Sequence, residues 1–365
     1  MRVLIAAAAI AVALTAAAAA QRRSPTTVDE RMVMAEQPPA LLSAFRFFSD
    51  AGARQPNPGV TPYDLNTALY SDGALKYRYV YIPRGQRAHY HDEGVFEFPV
   101  GAVLIKTFAF ADDMRRPTEN VRFLETRLLI HRAEGWFAYP YVWNEAQTEA
   151  RLSPVGANVP VSFVDEQGAE TSLDWPVPNR NQCKGCHDLA GEIQPIGPSA
   201  RNLNRDFEYG TGAANQLSHW LGANLLNALP ASAAPHVPSA YDADAASLEA
   251  RARAYLDVNC AHCHNPQGPA HTSGLDLRWS QSDPAQWGVL KRPVAAGRGS
   301  AGFEFSIEPG HPERSILLHR MRSTDPGVMM PELGRQLVDQ RAVALIEEWI
   351  ATMDDQGRTS ANPAN

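Results

Sequence analysis

"VRFLETRLLIHRAEGWFAYPYVWN" occupies residues 121–144 and carries the strongest β signal in the chain. Its two parts, "VRFLETRLLIHR" (121–132) and "GWFAYPYVWN" (135–144), are rich in Val, Ile, Tyr, Phe and Trp and are bounded by turn-forming residues, as strands require. In the second part Phe137, Tyr139, Tyr141 and Trp143 recur with period two, so all four aromatics fall on one face of a strand. Upstream, "KYRYVYIP" (76–83) and "GVFEFPVGAVLIKTFAF" (94–110) repeat the composition. Residues 61–175 therefore read as a β-rich domain.

Outside that block the pattern changes. Residues 21–60 are polar, with prolines at 25, 38, 39, 56 and 58, and read as a partly ordered arm with one short apolar helix at 40–48. After 175 the chain turns irregular through "DWPVPNRNQCKGCH", then offers a helix at 212–226 with Leu217, Trp220, Leu221 and Leu225 on one side. "PASAAPHVPSA" makes 231–240 a linker. Beyond it, Asp242 or Asp244 can cap a helix whose Leu248, Ala252, Tyr255 and Asn259 recur at helical spacing. Asp339 can cap a final helix with an apolar stripe at Ala342, Leu345, Ile346, Trp349, Ile350 and Met353. A short tail without regular structure is expected at 357–365.

The chain has 365 residues, 44% hydrophobic and 20% charged, with a formal charge of -7. That composition suits a folded soluble protein and disfavours nucleic acid or an anionic membrane as partner. The first 20 residues read as a cleavable secretory signal: Arg2, an alanine-rich apolar run, then Ala18-Ala19-Ala20. No other run approaches the roughly 20 apolar residues of a membrane span, so the mature chain is expected in the periplasm.

Exported cysteines usually pair, but these four are arranged differently. "NRNQCKGCHDL" (179–189) and "NCAHCHNPQG" (259–268) hold all of them, as Cys183/Cys186 and Cys260/Cys263, with His187 and His264 following at once. Two thiols at this spacing can add to the two vinyl groups of one haem, and the next residue then sits beneath the iron. A C-x-x-C redox motif needs no histidine and sits in a βαβ setting. A zinc ribbon has its knuckles about 15–20 residues apart, far closer than these. Two disulfides would leave both histidines unexplained. The expectation is two covalent haems, with iron held by His187 and His264.

The sixth ligand decides the chemistry. For the second haem, Met330 in "VMMPELG" is the expected thioether, with Met329 its near competitor and Met321 a weaker one. For the first haem no methionine stands near, since Met114 lies in a polar turn. His89, His91, His131 and His219 are available, but each reads better as a surface or hydrogen-bonded side chain. Lys106 interrupts the apolar run "VLIKTF"; it either points into a site or snorkels to solvent. The aromatic face at 137–143 reads as core, with a haem wall as the alternative.

Residues 241–356 resemble a class I c-type cytochrome domain, in the helix before "CAHCH", the "MP" loop and the aromatic-bearing last helix. The whole chain is similar to a family of bacterial diheme c-type cytochromes with a β-rich N-terminal half. "LYSDGALKYRYVYIP", "ETRLLI", "YVWNEAQTEA", "RNQCKGCH", "PIGPSARNLNR" and "NQLSHW" carry that likeness, over roughly 60–225. The resemblance implies export, two covalent haems and redox work with another exported protein.

The expected fold class is therefore α+β and multidomain. A β-rich domain (61–175) carries the first haem segment (176–230), and a linker (231–240) leads to an all-α cytochrome c domain (241–356). Two functions fit. One is an electron carrier between periplasmic redox partners. The other is a peroxidase-like diheme enzyme, with an open first haem fed by the Met-ligated second and Tyr139, Tyr141 or Lys106 on the pocket wall.

Overall fold

Six strands run antiparallel in chain order: β1 (Val60–Tyr63), β2 (Leu75–Tyr81), β3 (Val103–Ala111), β4 (Val121–Arg132), β5 (Gly135–Trp143) and β6 (Ala150–Leu152). They are seen in a computed structural model that describes residues 27–50, 55–294 and 296–359. The expected signal at 1–20 lies outside the described residues. The run at 94–110 becomes a strand only from Val103, because Gly101 turns the chain at φ +90°. A Cβ there would sit 2.7 Å from Pro83 Cγ, so glycine is required. Two strands not singled out from sequence, β7 (Ala157–Val164) and β8 (Glu170–Val177), form a separate ribbon. Phe163 of that ribbon stacks on Phe110, and Trp175 leans on Phe108.

Cross-strand register sorts the side chains onto two faces. Tyr79, Ile105, Leu128 and Tyr139 are mutual neighbours across β2–β5. They belong to a core that the N-terminal arm closes with Val33, Leu42, Phe45 and Phe47. Phe45 and Phe47 stack at 5.0 Å, and the Tyr141 hydroxyl donates to the Pro39 carbonyl at 2.8 Å. The apolar stretch in the arm is a 3-10 turn at Leu42–Phe45. Tyr139, Tyr141 and Trp143 are buried in this core, with Phe137 packed beside them. The period-two aromatic face is therefore the arm-covered core.

The opposite face carries a different sequence of rows. Val80, Leu104 and Leu129 join a cluster around Trp136 and Trp220. Phe108 anchors a second cluster with Phe110, Leu124 and Trp175. Between them lies the row Arg78, Lys106, Arg127 and Pro140.

The first Cys-x-x-Cys-His segment is helical. α2 (Arg180–His187) follows α1 (Glu30–Val33) in chain order and starts with a full capping box: the Asn179 side chain accepts from Gln182 N, and Gln182 answers the Asn179 N–H. After it come α3 (Ala200–Leu203) and α4 (Gln216–Gly222). The 231–240 stretch is docked against this region, with Val237 and Ala240 wholly buried and the Pro238 carbonyl accepting from Thr67 Oγ1.

The expected all-α domain at 241–356 is not what forms. The chain as a whole is β-rich, and among the described residues this region's α-helices are α5 (Leu248–Asn259), α6 (Pro284–Trp287), α7 (Ile316–Arg322) and α8 (Gln340–Ala351). The rest is loop, 3-10 turn and extended bridges such as Val289↔Ile307 and Phe305↔Ser315. The amphipathic stripe on α8 is real and packs on α5 through Leu345, Ile346, Trp349 and Ile350 against Ala252, Tyr255 and Leu256. What the stripe could not show is that the remaining faces are covered by irregular chain. Ser247, not Asp242 or Asp244, caps α5. These helices dock on the β-rich part: Asp72 accepts from the N–H groups of Gln336 and Leu337 at 2.7 Å each, and Arg201 pairs with Asp257 at 3.0 Å.

Candidate functional site

Both histidines that follow the cysteine pairs are held by one ring nitrogen. His187 Nδ1 lies 2.7 Å from the Gln194 carbonyl, and Gln194 N–H returns a bond to the His187 carbonyl at 2.8 Å. A carbonyl only accepts, so the proton sits on Nδ1 and Nε2 keeps its lone pair. The short hairpin of β9 (Asp188–Leu189) and β10 (Glu192–Ile193) brings Gln194 back to that position.

His264 repeats the device with different parts. α5 ends at Asn259, and a further turn carries Cys263 N–H and His264 N–H onto the Cys260 carbonyl. His264 Nδ1 lies 3.0 Å from Ser273 Oγ. That hydroxyl spends its own proton on the Ala270 carbonyl at 2.7 Å, so it accepts from the histidine. The loop between them closes tightly: a Cβ on Gly268 would lie 2.3 Å from the Cys263 carbonyl oxygen.

Burial tunes these groups. It depresses both His187 and His264 to about 4, with Lys106 and Arg127 adding to the effect at His187 and Arg320 at His264. The neutral, ligating form is thus the resting form. Burial pushes the thiols of Cys260 and Cys263 up to about 12 and raises those of Cys183 and Cys186. All four cysteines are free thiols. A dithiol redox site needs a depressed thiol; these are shifted the other way.

The second segment lines a cavity of about 380 Å³. Cys260, Cys263 and His264 contribute to it, with Leu277, Trp287 and Leu317 among its apolar walls. Met330 and Met321 both reach it; Met329 does not, and is buried elsewhere. The Met330 loop is fixed by Arg335, whose guanidinium donates to the Met330 carbonyl from Nε at 3.1 Å and from Nη2 at 2.8 Å. Among the described residues no group of three or more His, Cys, Asp and Glu is arranged to hold a bare metal ion. Paired thiols, one imidazole with a free Nε2 and a thioether beside an apolar cavity fit a covalently held haem, which takes one or two iron ligands from the protein.

The two segments meet. Cys186 and Gly185 line the same cavity as Cys263 and His264. Ala190 N–H donates to the Gln267 carbonyl at 2.9 Å, tying together the stretches just after both motifs. His262, inside the second motif, lies near enough to His187, His264 and Lys106 to feel all three charges, although burial is the main cause of its depression to about 4. Its Nδ1 is buried without a hydrogen bond. Sequence reading passed over His262 because it occupies a variable position of the motif.

The other candidate histidines are engaged elsewhere. His131 Nδ1 bonds the Phe98 carbonyl at 2.8 Å and its ring stacks on Trp136. His219 stacks on Tyr209 at 3.6 Å. His89 bonds Asn227, and exposed His91 faces Glu97. Met114 packs in the Phe108–Trp175 cluster. Tyr139 and Tyr141 face the arm, so they are not on the wall of this site. Lys106, by contrast, is partly buried and stands near this site, close enough to act on Cys186, His187 and His262.

An antiparallel sheet and the packed helices α5 and α8 thus bring Gly185 and Cys186 of the first Cys-x-x-Cys-His segment to one cavity with Cys260, Cys263 and His264 of the second. No known protein family, curated protein or solved structure matches this chain.

Proposed function

We propose that this chain is an exported diheme c-type cytochrome that passes single electrons between periplasmic redox partners. The observation that carries the reading is the convergence of two Cys-x-x-Cys-His segments on one cavity, each histidine anchored through Nδ1 with Nε2 left free. Bound haem would supply a reversible one-electron iron couple. Cys183 and Cys186 would hold one haem and Cys260 and Cys263 the other. His187 and His264 would be the proximal ligands, with the Gln194 carbonyl and Ser273 Oγ raising their basicity. Met330, positioned by Arg335, would complete the second site. The bond from Ala190 to Gln267 keeps the two attachment segments adjacent, which suits electron passage within one chain. The acidic balance would favour a basic partner surface. Among the described residues no helix is long and apolar enough to cross a membrane.

One observation favours the enzyme reading: Met114 packs in the Phe108–Trp175 cluster and His89, His131 and His219 are engaged elsewhere, so the first haem could keep an open position for a small ligand. The deciding experiment starts with the haem-to-chain ratio of protein made in a host that matures c-type cytochromes. Two per chain is expected, falling to one when Cys183 and Cys186, or Cys260 and Cys263, become Ala. A ratio of zero sinks the proposal. Carbon monoxide added to the reduced protein then separates the readings: no uptake supports the carrier, and uptake at one haem supports the enzyme.

A further inference from the structure

The register sets Arg78, Lys106 and Arg127 side by side on β2, β3 and β4. Like charges in directly opposed positions repel, and this row lies between two apolar clusters on a covered face of the sheet. Its compensation is incomplete. Arg127 is matched by Glu125, which also accepts from Trp175 Nε1 at 2.7 Å. Arg78 pairs through Nη1 with Asp64 at 2.6 Å, but its Nη2 is buried with no hydrogen bond. Lys106 has neither an ion pair nor a hydrogen bond among the described residues; its Nζ stands 4.7 Å from the centre of the Phe108 ring. Lys76, one row away, gives its own Nζ to the Ala74 carbonyl. A buried guanidinium nitrogen left without an acceptor is costly, and an anion in this row would supply one.

The row also has a direction. Arg127 lies close enough to Cys183, Cys186 and His187 for its charge to act on all three, and Lys106 acts on Cys186 and His187. The unmatched donors thus stand beside the first Cys-x-x-Cys-His segment.

We propose that the Arg78–Lys106–Arg127 row is a carboxylate-binding site beside the first motif, with Lys106 Nζ and Arg78 Nη2 as its free donors. A planar carboxylate suits a guanidinium edge and an ammonium together. The carboxylate has two possible sources. One is a propionate of a haem held by Cys183 and Cys186, which rests on the functional reading above. The other is a small carboxylate from solution, which does not.

The test uses the full-length mature protein, its Lys106→Met and Lys106→Gln variants, and Lys106→Arg as the conservative control. Removing an unpaired cation from the row should leave folding intact, and circular dichroism checks this. Formate is titrated calorimetrically, and the midpoint potential of each haem is measured. One formate per chain, weakened about tenfold or more in Lys106→Met and retained in Lys106→Arg, assigns a free carboxylate. No formate binding, with one midpoint moved by about 59 mV or more in Lys106→Met and restored by Arg, assigns the propionate, since that shift is a tenfold change for one electron. Formate binding that the variants leave unchanged overturns the site. So does the absence of binding with unmoved potentials. The haem-to-chain ratio is read separately: a haem-free chain that still binds formate through Lys106 would sink the cytochrome reading and leave the carboxylate site standing.

Discussion

Replacing Arg335 with Met should both destabilise the protein and release the Met330 loop. Arg335 is only 4% exposed, and its guanidinium is given to carbonyls. Besides Met330 it serves Ser323 at 2.8 Å, Met321 at 3.1 Å, Arg320 at 3.3 Å and Leu337 at 3.3 Å. Arg320 and Met321 belong to the last turn of α7, so one side chain caps that helix and pins the following loop. Methionine keeps most of the stem volume and removes every donor. A buried carbonyl left unpaired costs about 1–3 kcal/mol. Arg320 keeps a bond from Met330 N, and water can enter beside Ser323, which is partly exposed. Counting two to three carbonyls at about 1.5 kcal/mol each gives a loss of about 3–5 kcal/mol, a large share of the 5–15 kcal/mol typical of a domain. At about 2 °C per kcal/mol for a chain of this size, the melting midpoint should fall by roughly 6–10 °C.

Two measurements on the same sample make the argument vulnerable. Calorimetry reads the midpoint, and the ferric optical spectrum reads the sulfur-to-iron charge-transfer band of a Met-ligated haem. If the chain carries the two haems proposed above, Arg335→Met should lose that band while keeping both, because the thioether is no longer held in place. Arg335→Lys should be intermediate, since an ammonium is a point donor and cannot reach both the helix end and the loop as a fork does. An Arg335→Met protein that melts within about 2 °C of the parent and retains the band would refute the reasoning.

Met330→Ala should abolish the same band, whereas Met329→Ala should keep it; Met321→Ala should keep it too but cost about 2–5 kcal/mol in denaturant melts, because Met321 is part of the helix-pair core. Ser273→Ala should lower the midpoint stability by about 1 kcal/mol and shift the potential of the second haem only, because it removes the acceptor for His264 Nδ1; unchanged potentials would contradict that role. Burial, with Arg78 adding to it, lowers the Lys76 amine to about 7. Between pH 7 and the ordinary lysine range near 10.5 the unfolded chain then binds a proton that the folded chain does not, so stability should rise with pH across that window and be least below it. Urea melts at pH 7.5 and 9.5 should show the rise, and a Lys76→Met protein with an equally steep rise would count against it.

The parts of this structure legible in sequence are those that a single element specifies by itself. The strands at 121–132 and 135–144 emerge as Val121–Arg132 and Gly135–Trp143, and Asp339 caps the last helix through Ala342 N at 3.0 Å. Hydrophobic period and capping chemistry are local, so one segment carries the whole signal. The capping box at Asn179 and Gln182 was equally local, but the prolines before it and the glycine within it hid the helix. The all-α expectation failed for a different reason. Two amphipathic helices show that each has a buried face, not what buries the rest, and around α5 and α8 that role falls to loops and extended bridges.

The charged row shows the same limit most sharply. Read along β3, Lys106 is one lysine in an apolar run, and snorkelling to solvent is a sound account of it. Arg78 and Arg127 lie 28 positions before and 21 after it, each in an ordinary strand. Only register makes them neighbours, and register depends on how β2, β3 and β4 pair. Once paired, the sheet has one face to give to the arm, and the aromatic period assigns it. The remaining face must then meet α2 and its cysteines with whatever side chains the alternation leaves there. Those side chains include Arg78, Lys106 and Arg127, more cationic charge than Glu125 and Asp64 neutralise within the fold. A face built only for packing would carry apolar residues in that row, as the clusters on either side of it do.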